Sequence, residues 1–83
     1  WFNPHIWVYV DVTDNLGQNV TWQCEGGTPN SLRRLGWSSE TLQPGDQVQI
    51  EGFRAHDGSE TCNARVFTKD GRRLFAGSSF EEQ

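Results

Sequence analysis

A strict alternation of side-chain types runs through residues 6–12. The even positions are Ile or Val, whereas the odd positions carry Trp7, Tyr9 and Asp11. A repeat of two residues, rich in β-branched and aromatic side chains, is typical of a β-strand. The predicted strand has one wholly aliphatic face, which another part of the chain must cover. Its second face carries two aromatic rings and an acid.

Four further strands follow from the same kind of pattern. They are predicted at residues 20–25, 47–53, 62–68 and 73–76. The residues at 13–19 are rich in turn formers, and Asp-Gly at 70–71 is a strong hairpin signal, so each is predicted to connect two antiparallel strands. Gly52 interrupts the third strand and predicts a bulge or a tight bend at that position.

One short helix is predicted between the second and third strands, from Pro29 to Leu35. Thr28 is suited to cap the N-terminus of this helix with its hydroxyl group. Pro29 loses nothing at the first helical position, where its missing N–H would be unpaired in any case. Gly36 fits the left-handed conformation that commonly follows the last residue of a helix.

These elements predict a mostly β fold, namely a small OB-like antiparallel barrel or curved sheet with one short helix between strands. A single OB-like domain is expected over residues 1–77, followed by a polar C-terminal tail at 78–83. An OB-like barrel has its helix between its third and fourth strands, whereas here the helix follows the second. We therefore expect that the first strand of the barrel, before Trp1, is missing from this chain.

The composition narrows the classes of function. The chain has 83 residues, a formal net charge of −4 and a predicted pI of about 4.9. An acidic chain with one lysine is poorly suited to binding a phosphate backbone, and no stretch approaches the ~20 apolar residues of a membrane helix. No nucleophile elbow, Cys-x-x-Cys pair or phosphate-binding loop is present, so the protein is predicted not to be an enzyme.

Cys24 and Cys62 are the two cysteines of the chain. In an exported protein, two cysteines are most simply interpreted as one disulfide. The alternative is a pair of small buried thiols. A small domain gains much from a cross-link, which favours the disulfide.

His5 is the first candidate for chemistry, because imidazole is a common ligand of Zn or Cu. Its candidate companions are His56, Glu25 and, if they are free, the two cysteine thiols, but no pair of these residues has the spacing of a metal motif. A metal site at His5 would therefore depend on residues that come together only in the fold. The alternative is that Asn3-Pro4-His5 forms a structural corner.

Trp7 and Tyr9 are the second candidates, because two rings on one face of a strand can stack on a planar or sugar-like ligand. Arg65 and Phe67 are expected to join them across the sheet. With His5 and Glu25, these two aromatic residues complete the set of candidate ligand-binding residues. The alternative is that another part of the chain covers the rings.

Four motifs resemble those of one protein family. They are Asn-Pro-His-x-Trp at 3–7, Glu-Gly-Gly-x-Pro-Asn at 25–30, Leu-x-Pro-Gly-Asp at 42–46 and Asp-Gly-Arg-Arg-Leu-Phe-Ala-Gly at 70–77. In these motifs the chain is similar to DUF6152, a family of small exported bacterial proteins of unknown function. The resemblance implies a periplasmic protein with a strand before the Asn-Pro-His motif. The family usually has an aliphatic residue or Ala where Cys24 and Cys62 stand, and it contributes no known activity.

The sequence thus predicts a non-enzymatic periplasmic binding or protein-interaction module. Its sheet would be completed by a strand from elsewhere, through a protein partner or through self-association at an open sheet edge. One alternative is a Cu- or Zn-binding protein anchored by His5. Another is a binder of glycans or single-stranded nucleic acid through Trp7 and Tyr9.

Overall fold

The computed structural model describes residues 5–77 as five strands and one short helix. Their bounds are β1 Trp7–Thr13, β2 Asn19–Glu25, α1 Pro29–Arg34, β3 Gln49–Arg54, β4 Thr61–Lys69 and β5 Arg72–Phe75. This order is the predicted one. No helix within residues 5–77 is long and apolar enough to cross a membrane. The predicted tail at 78–83 and the corner residues Asn3 and Pro4 lie outside the described residues.

The hairpin between β1 and β2 is closed by local side-chain chemistry. The carboxylate of Asp14 accepts hydrogen bonds from the backbone N–H groups of Leu16 (2.8 Å) and Gln18 (2.9 Å). Gly17 adopts the left-handed conformation, with φ of 78°. Short polar side chains that bond to the backbone two and four residues ahead favour turns over extended structure. The predicted turn at 13–19 is confirmed.

Both ends of α1 are capped as the sequence indicates. The Thr28 hydroxyl accepts from the Ser31 N–H at 3.2 Å. At the other end Gly36 has φ of 98°, and the Trp37 N–H donates to the Leu32 carbonyl at 2.9 Å. This is the bond pattern of a Schellman cap, which satisfies carbonyls that a helix end would leave unpaired.

The strands form one sheet with the order β1-β2-β4-β3, and β5 also pairs with β4. The predicted curved sheet is confirmed, but the sheet is not a closed barrel. The expectation of a wholly antiparallel sheet is also wrong, because β2 and β4 pair in parallel over Gln23–Glu25 and Thr61–Asn63. Parallel neighbours need a crossover connection, and here the segment with α1 and β3 lies between them.

The core lies between the sheet and α1. Its most buried apolar residues are Cys24, Leu32, Ala64, Phe67, Leu74 and Ala76. The predicted disulfide between Cys24 and Cys62 is confirmed, and it joins β2 to β4 at directly paired positions. Trp37 packs edge-on against Phe67, with ring centroids 5.5 Å apart, and its indole N–H donates to the Phe75 carbonyl at 2.9 Å. Trp37 therefore connects the end of α1 to β4 and β5.

The predicted bulge at Gly52 is confirmed, since the β3–β4 register shifts between Glu51 and Gly52. A Cβ atom at position 52 would overlap with the carbonyl oxygen of Asn63 and lie 3.0 Å from the Cα of Ala64. Gly52 is thus required by the close approach of two backbones rather than by a left-handed conformation. Glycine in a strand often marks such an approach.

We expect Gly52→Ala to lower the free energy of unfolding by about 1–3 kcal/mol, because the β4 backbone must move to admit the methyl group. Urea unfolding and the backbone amide spectrum check this, with shifts concentrated at Asn63 and Ala64. Gly17→Ala is the control, because Gly17 in the β1–β2 turn has φ of 78° and no atom within 4 Å of an added Cβ. It should leave the β4 amides in place. An unshifted β4 spectrum in Gly52→Ala would contradict the explanation.

Candidate functional site

β1 and β3 are the two end strands of the sheet, and no described strand pairs with the outer edge of either. The two edges line a single groove of about 1150 Å³, which is also bounded by residues 42–48 of the loop before β3. We call it the edge groove. Consecutive residues of β1, from Trp7 to Val12, line it, as expected if the backbone itself faces the space.

The hydrogen bonds at the start of β1 show which backbone groups face the groove. The Ile6 N–H donates to the Gly27 carbonyl at 2.9 Å, and the Ile6 carbonyl accepts from the Gly26 N–H at 2.8 Å. Both backbone groups of Ile6 therefore point towards β2. Since this direction alternates along an antiparallel strand, the odd-numbered residues of β1, including Tyr9, direct their N–H and C=O groups to the outer edge.

The floor of the edge groove is apolar. The half-buried side chains that line it are Val8, Val10, Trp22, Val48 and Ile50, and the Cys24–Cys62 disulfide lines it as well. A second cavity of about 350 Å³ lies beneath α1 and shares Val8 and Leu42 with the groove. The apolar lining thus continues from the groove towards the helix. Such a surface favours aliphatic side chains over charged ones.

Arg54, the last residue of β3, meets Trp22 of β2 in the lining of the groove. The Arg54 guanidinium lies 5.1 Å from the centre of the Trp22 ring, a cation–π contact. It also donates to the carbonyls of Gly58 (2.6 Å) and Ser59 (3.2 Å), which hold it in place. The sequence predicted that Trp22 would face inward, but it carried no signal for this partner, because the contact joins strands that are distant in the chain.

The loop before β3, which also bounds the groove, is tied to β4. Lys69 Nζ lies 2.8 Å from Asp46 Oδ2 and donates to the Thr41 carbonyl at 3.1 Å. The hydrogen bond from Lys69, followed by that from the Gln43 N–H, lowers the pKa of the Asp46 carboxyl. Because this pKa is lowered, the ion pair between Asp46 and Lys69 is complete at neutral pH and is lost only as the pH falls through that pKa. The loop wall is therefore in place under ordinary conditions.

The outer face of the sheet carries most of the candidate residues. The registers place Trp7, Glu25, Asn63 and Phe53 in one row across four strands. Trp7 is 37% exposed, Phe53 62% and the neighbouring Tyr9 67%. The Trp7 ring is therefore partly exposed and the Tyr9 ring largely exposed, and their role in ligand binding stays a prediction.

The expected companions of Trp7 and Tyr9 are placed differently. Phe67 is 1% exposed and belongs to the core, so the prediction that it joins the aromatic face is wrong. The bulge explains this, because it breaks the alternation of β4 and buries Val66 and Phe67 in succession. Arg65 does lie on the outer face, where its guanidinium is 5.9 Å from the centre of the Phe53 ring.

The structure brings the side chains of His5 and Glu25 together. His5 Nδ1 is buried against Glu25 Oε2 at 2.9 Å, beside the row that contains Trp7. His56 lies in the exposed loop between β3 and β4, and both cysteines are bonded to each other. Residues 5–77 hold no group of three His, Cys, Asp or Glu side chains placed to bind one metal ion. The predicted metal role of His5 and His56 stays a prediction.

Comparisons with known proteins give a family but no activity. The family model described as a family of unknown function, DUF6152, matches residues 1–64. This confirms the resemblance seen in the sequence motifs. No functionally curated protein and no solved structure was found to match the chain.

Proposed function

Because the chain belongs to the DUF6152 family, whose description assigns no activity, we propose a function from the geometry alone: it is a non-enzymatic protein-interaction module. Its ligand is an extended segment of another protein, which binds as a strand in the edge groove between β1 and β3. The observation that carries this proposal is that, among residues 5–77, no strand pairs with the outer edges of β1 and β3, which line one groove with an apolar floor.

An unpaired edge presents a row of backbone donors and acceptors, and such edges commonly add a strand from another chain. Here both edges line the same groove, and an inserted strand would pair with the outward backbone groups of β1. Its inward side chains would cover Val8, Val10 and Ile50, which are only half-buried. Each Å² of apolar surface removed from water contributes about 25 cal/mol, so binding has a hydrophobic as well as a hydrogen-bonded component.

We also propose that the module acts outside the cytoplasm, in the periplasm of a bacterium. The support is the Cys24–Cys62 disulfide, since such bonds persist in oxidising compartments and are rare in the reducing cytosol. A groove that has the disulfide in its lining would keep its shape only where that bond is maintained.

A blocked octapeptide, Lys-Val-Thr-Val-Thr-Val-Thr-Lys, tests the strand-binding function. At a concentration of about a hundred times Kd, a ligand of the folded state adds roughly 2.7 kcal/mol of stability. For a domain of this size we expect the melting temperature to rise by roughly 10 °C or more. The same peptide with N-methyl groups on alternate residues should not raise the melting temperature. It keeps its side chains but loses half of its backbone N–H donors.

Tyr9 supplies a matched pair of variants. Its backbone N–H faces the open edge, so Tyr9→Pro removes a groove donor without removing a β1–β2 hydrogen bond, as edge positions allow. We expect Tyr9→Pro to abolish the peptide-induced rise and Tyr9→Ala to retain it. Equal stabilisation by the two peptides, or unchanged binding by Tyr9→Pro, would overturn the proposal. Dimerisation without peptide, seen by light scattering, would mean that a second copy is the occupant.

A glycan-binding function is the second candidate, and the exposed rings of Trp7, Tyr9 and Phe53 favour it. Aromatic faces stack on sugar rings, and Glu25 lies in the same row with acceptor oxygens. Titration of tryptophan fluorescence with a panel of oligosaccharides tests this function. Here Tyr9→Ala should weaken binding as much as Tyr9→Pro does. No spectral change with any oligosaccharide would remove this candidate, and the net charge of −4 disfavours oligonucleotides in the same assay.

A further inference from the structure

The second cavity, beneath α1, has the features of a small-molecule site, and we call it the helix cavity. Its volume is about 350 Å³. Sites for small molecules are typically concave and mostly apolar, with volumes of about 300–1,000 Å³. Leu32 is buried, whereas the other apolar residues of the lining are half-buried and still expose apolar surface to water. The apolar lining within residues 5–77 consists of Ile6, Val8, Pro29, Leu32, Trp37 and Leu42.

Hydrogen bonds hold the walls of the helix cavity in place. The Trp37 backbone N–H donates to the Leu32 carbonyl at 2.9 Å, and its indole N–H donates to the Phe75 carbonyl at 2.9 Å. In the loop that follows, the Ser38 N–H donates to the Thr41 hydroxyl at 2.8 Å. A ligand that enters a cavity with walls already held by the fold loses little binding energy to ordering them.

Arg33 gives the lining of the helix cavity a positive charge. Among residues 5–77, no Asp or Glu lines the cavity. The Arg33 guanidinium donates to Asn30 Oδ1 at 3.2 Å and forms no ion pair with a carboxylate of the described residues. A guanidinium carries five N–H donors in a planar fork that matches a carboxylate. Ser38 and Ser39 add hydroxyl groups to the same lining. The helix cavity is therefore complementary in charge to an anionic group.

We propose that the helix cavity binds a medium-chain fatty acid, with the hydrocarbon chain against the apolar lining and the carboxylate at Arg33. This activity goes beyond the strand binding proposed above. An inorganic anion would leave the apolar walls exposed to water, and a neutral hydrocarbon would leave Arg33 without a counter-charge. A ligand of about ten non-hydrogen atoms should bind with a Kd on the order of 0.1–1 mM.

Titration with sodium octanoate, kept below its micellar concentration, tests this proposal on the ¹⁵N-labelled, oxidised protein. We expect saturable shifts of the amide signals of Ile6, Leu32 and Leu42, and of the indole N–H signal of Trp37. Butanoate is the control for charge alone, because it keeps the carboxylate and lacks four of the methylene groups. Each buried methylene strengthens binding about fourfold, so butanoate should bind roughly a hundredfold or more weakly.

Arg33→Gln isolates the contribution of the charge. We expect it to raise the Kd of octanoate about fivefold, in the range of partly exposed ion pairs. It should leave the binding of 1-octanol unchanged, because 1-octanol has the same chain length and no charge. Arg34→Gln is the matched control, since Arg34 is the next residue of α1 and is not among the residues that line the cavity. It should leave the binding of both compounds unchanged.

Four outcomes would overturn the proposal. They are the absence of saturable shifts, shifts confined to the edge groove or the outer face, equal effects of Arg33→Gln and Arg34→Gln on octanoate, and shifts of the same amides on raising the protein concentration without ligand. The last of these would mean that a second copy occupies the cavity. Arg33→Gln should still show the octapeptide-induced rise in melting temperature, because Arg33 does not line the edge groove.

Discussion

Reduction of the Cys24–Cys62 disulfide is expected to lower the free energy of unfolding by about 4 kcal/mol. The two cysteines are 38 residues apart in sequence. Closing a loop of that length lowers the entropy of the unfolded chain, which stabilises the folded state by roughly 4 kcal/mol. A domain of this size has a total stability on the order of 5–10 kcal/mol, so this loss is a large fraction of it. The reduced protein should unfold at much lower urea concentration than the oxidised protein.

Urea unfolding with and without a reducing agent measures this effect. The matched control is the double variant Cys24→Ala/Cys62→Ala, which should resemble the reduced protein and show no response to the reducing agent. Cys24 is 2% exposed, so part of the loss in the variant comes from packing, whereas the comparison of oxidised and reduced wild type isolates the bond. Equal stability of the oxidised and reduced forms would contradict the expected role of the cross-link.

Phe67→Ala is expected to destabilise the protein by about 3–5 kcal/mol, the usual cost of removing a buried aromatic ring. Phe67 is 1% exposed, and its ring contacts Trp37, which connects α1 to β4 and β5. The substitution therefore leaves a cavity and also removes the partner of Trp37. We expect a lower midpoint of urea unfolding and a change in tryptophan emission in the folded state.

Phe53→Ala is the matched control, because it removes the same atoms from the paired strand. Phe53 is 62% exposed and its ring contacts Arg65 on the outer face. Its loss should cost less than about 1 kcal/mol, as exposed substitutions usually do. Similar losses of stability in the two variants would be inconsistent with a core at Phe67 and a free surface at Phe53.

The local elements of this fold could be predicted because short-range chemistry determines them. Asp14 and Gly17 close the first hairpin, and Thr28 and Gly36 cap the helix, with each partner within a few residues. The parallel pairing of β2 with β4 could not be predicted in this way. It depends on which strand lies beside which after the crossover, and the side-chain pattern of a strand does not identify its neighbour.

The bulge shows a second limit. Gly52 predicted an irregularity, but not how far its effect would extend along β4. A single extra residue in a ladder reverses the faces of all residues beyond it, so Phe67 enters the core although simple alternation placed it beside Arg65.

The candidate site was predicted in part. An open sheet edge was expected, and His5, Glu25 and Trp7 do lie together on one face. The edge groove itself is a product of tertiary structure, since its walls are strands at opposite ends of the sheet. The contact of Arg54 with Trp22 belongs to the same category, because it joins β3 to β2 across the floor.

The short parallel ladder between β2 and β4 has a mechanical consequence. In the described part of the chain, β2 of the N-terminal hairpin pairs with β4 of the C-terminal three strands at three positions, and one of these pairs carries the disulfide. One wall of the groove belongs to each half of the molecule. Small rotations about this ladder would therefore open or narrow the groove as a hinge does, and the covalent bond at the pivot would limit how far the two halves separate.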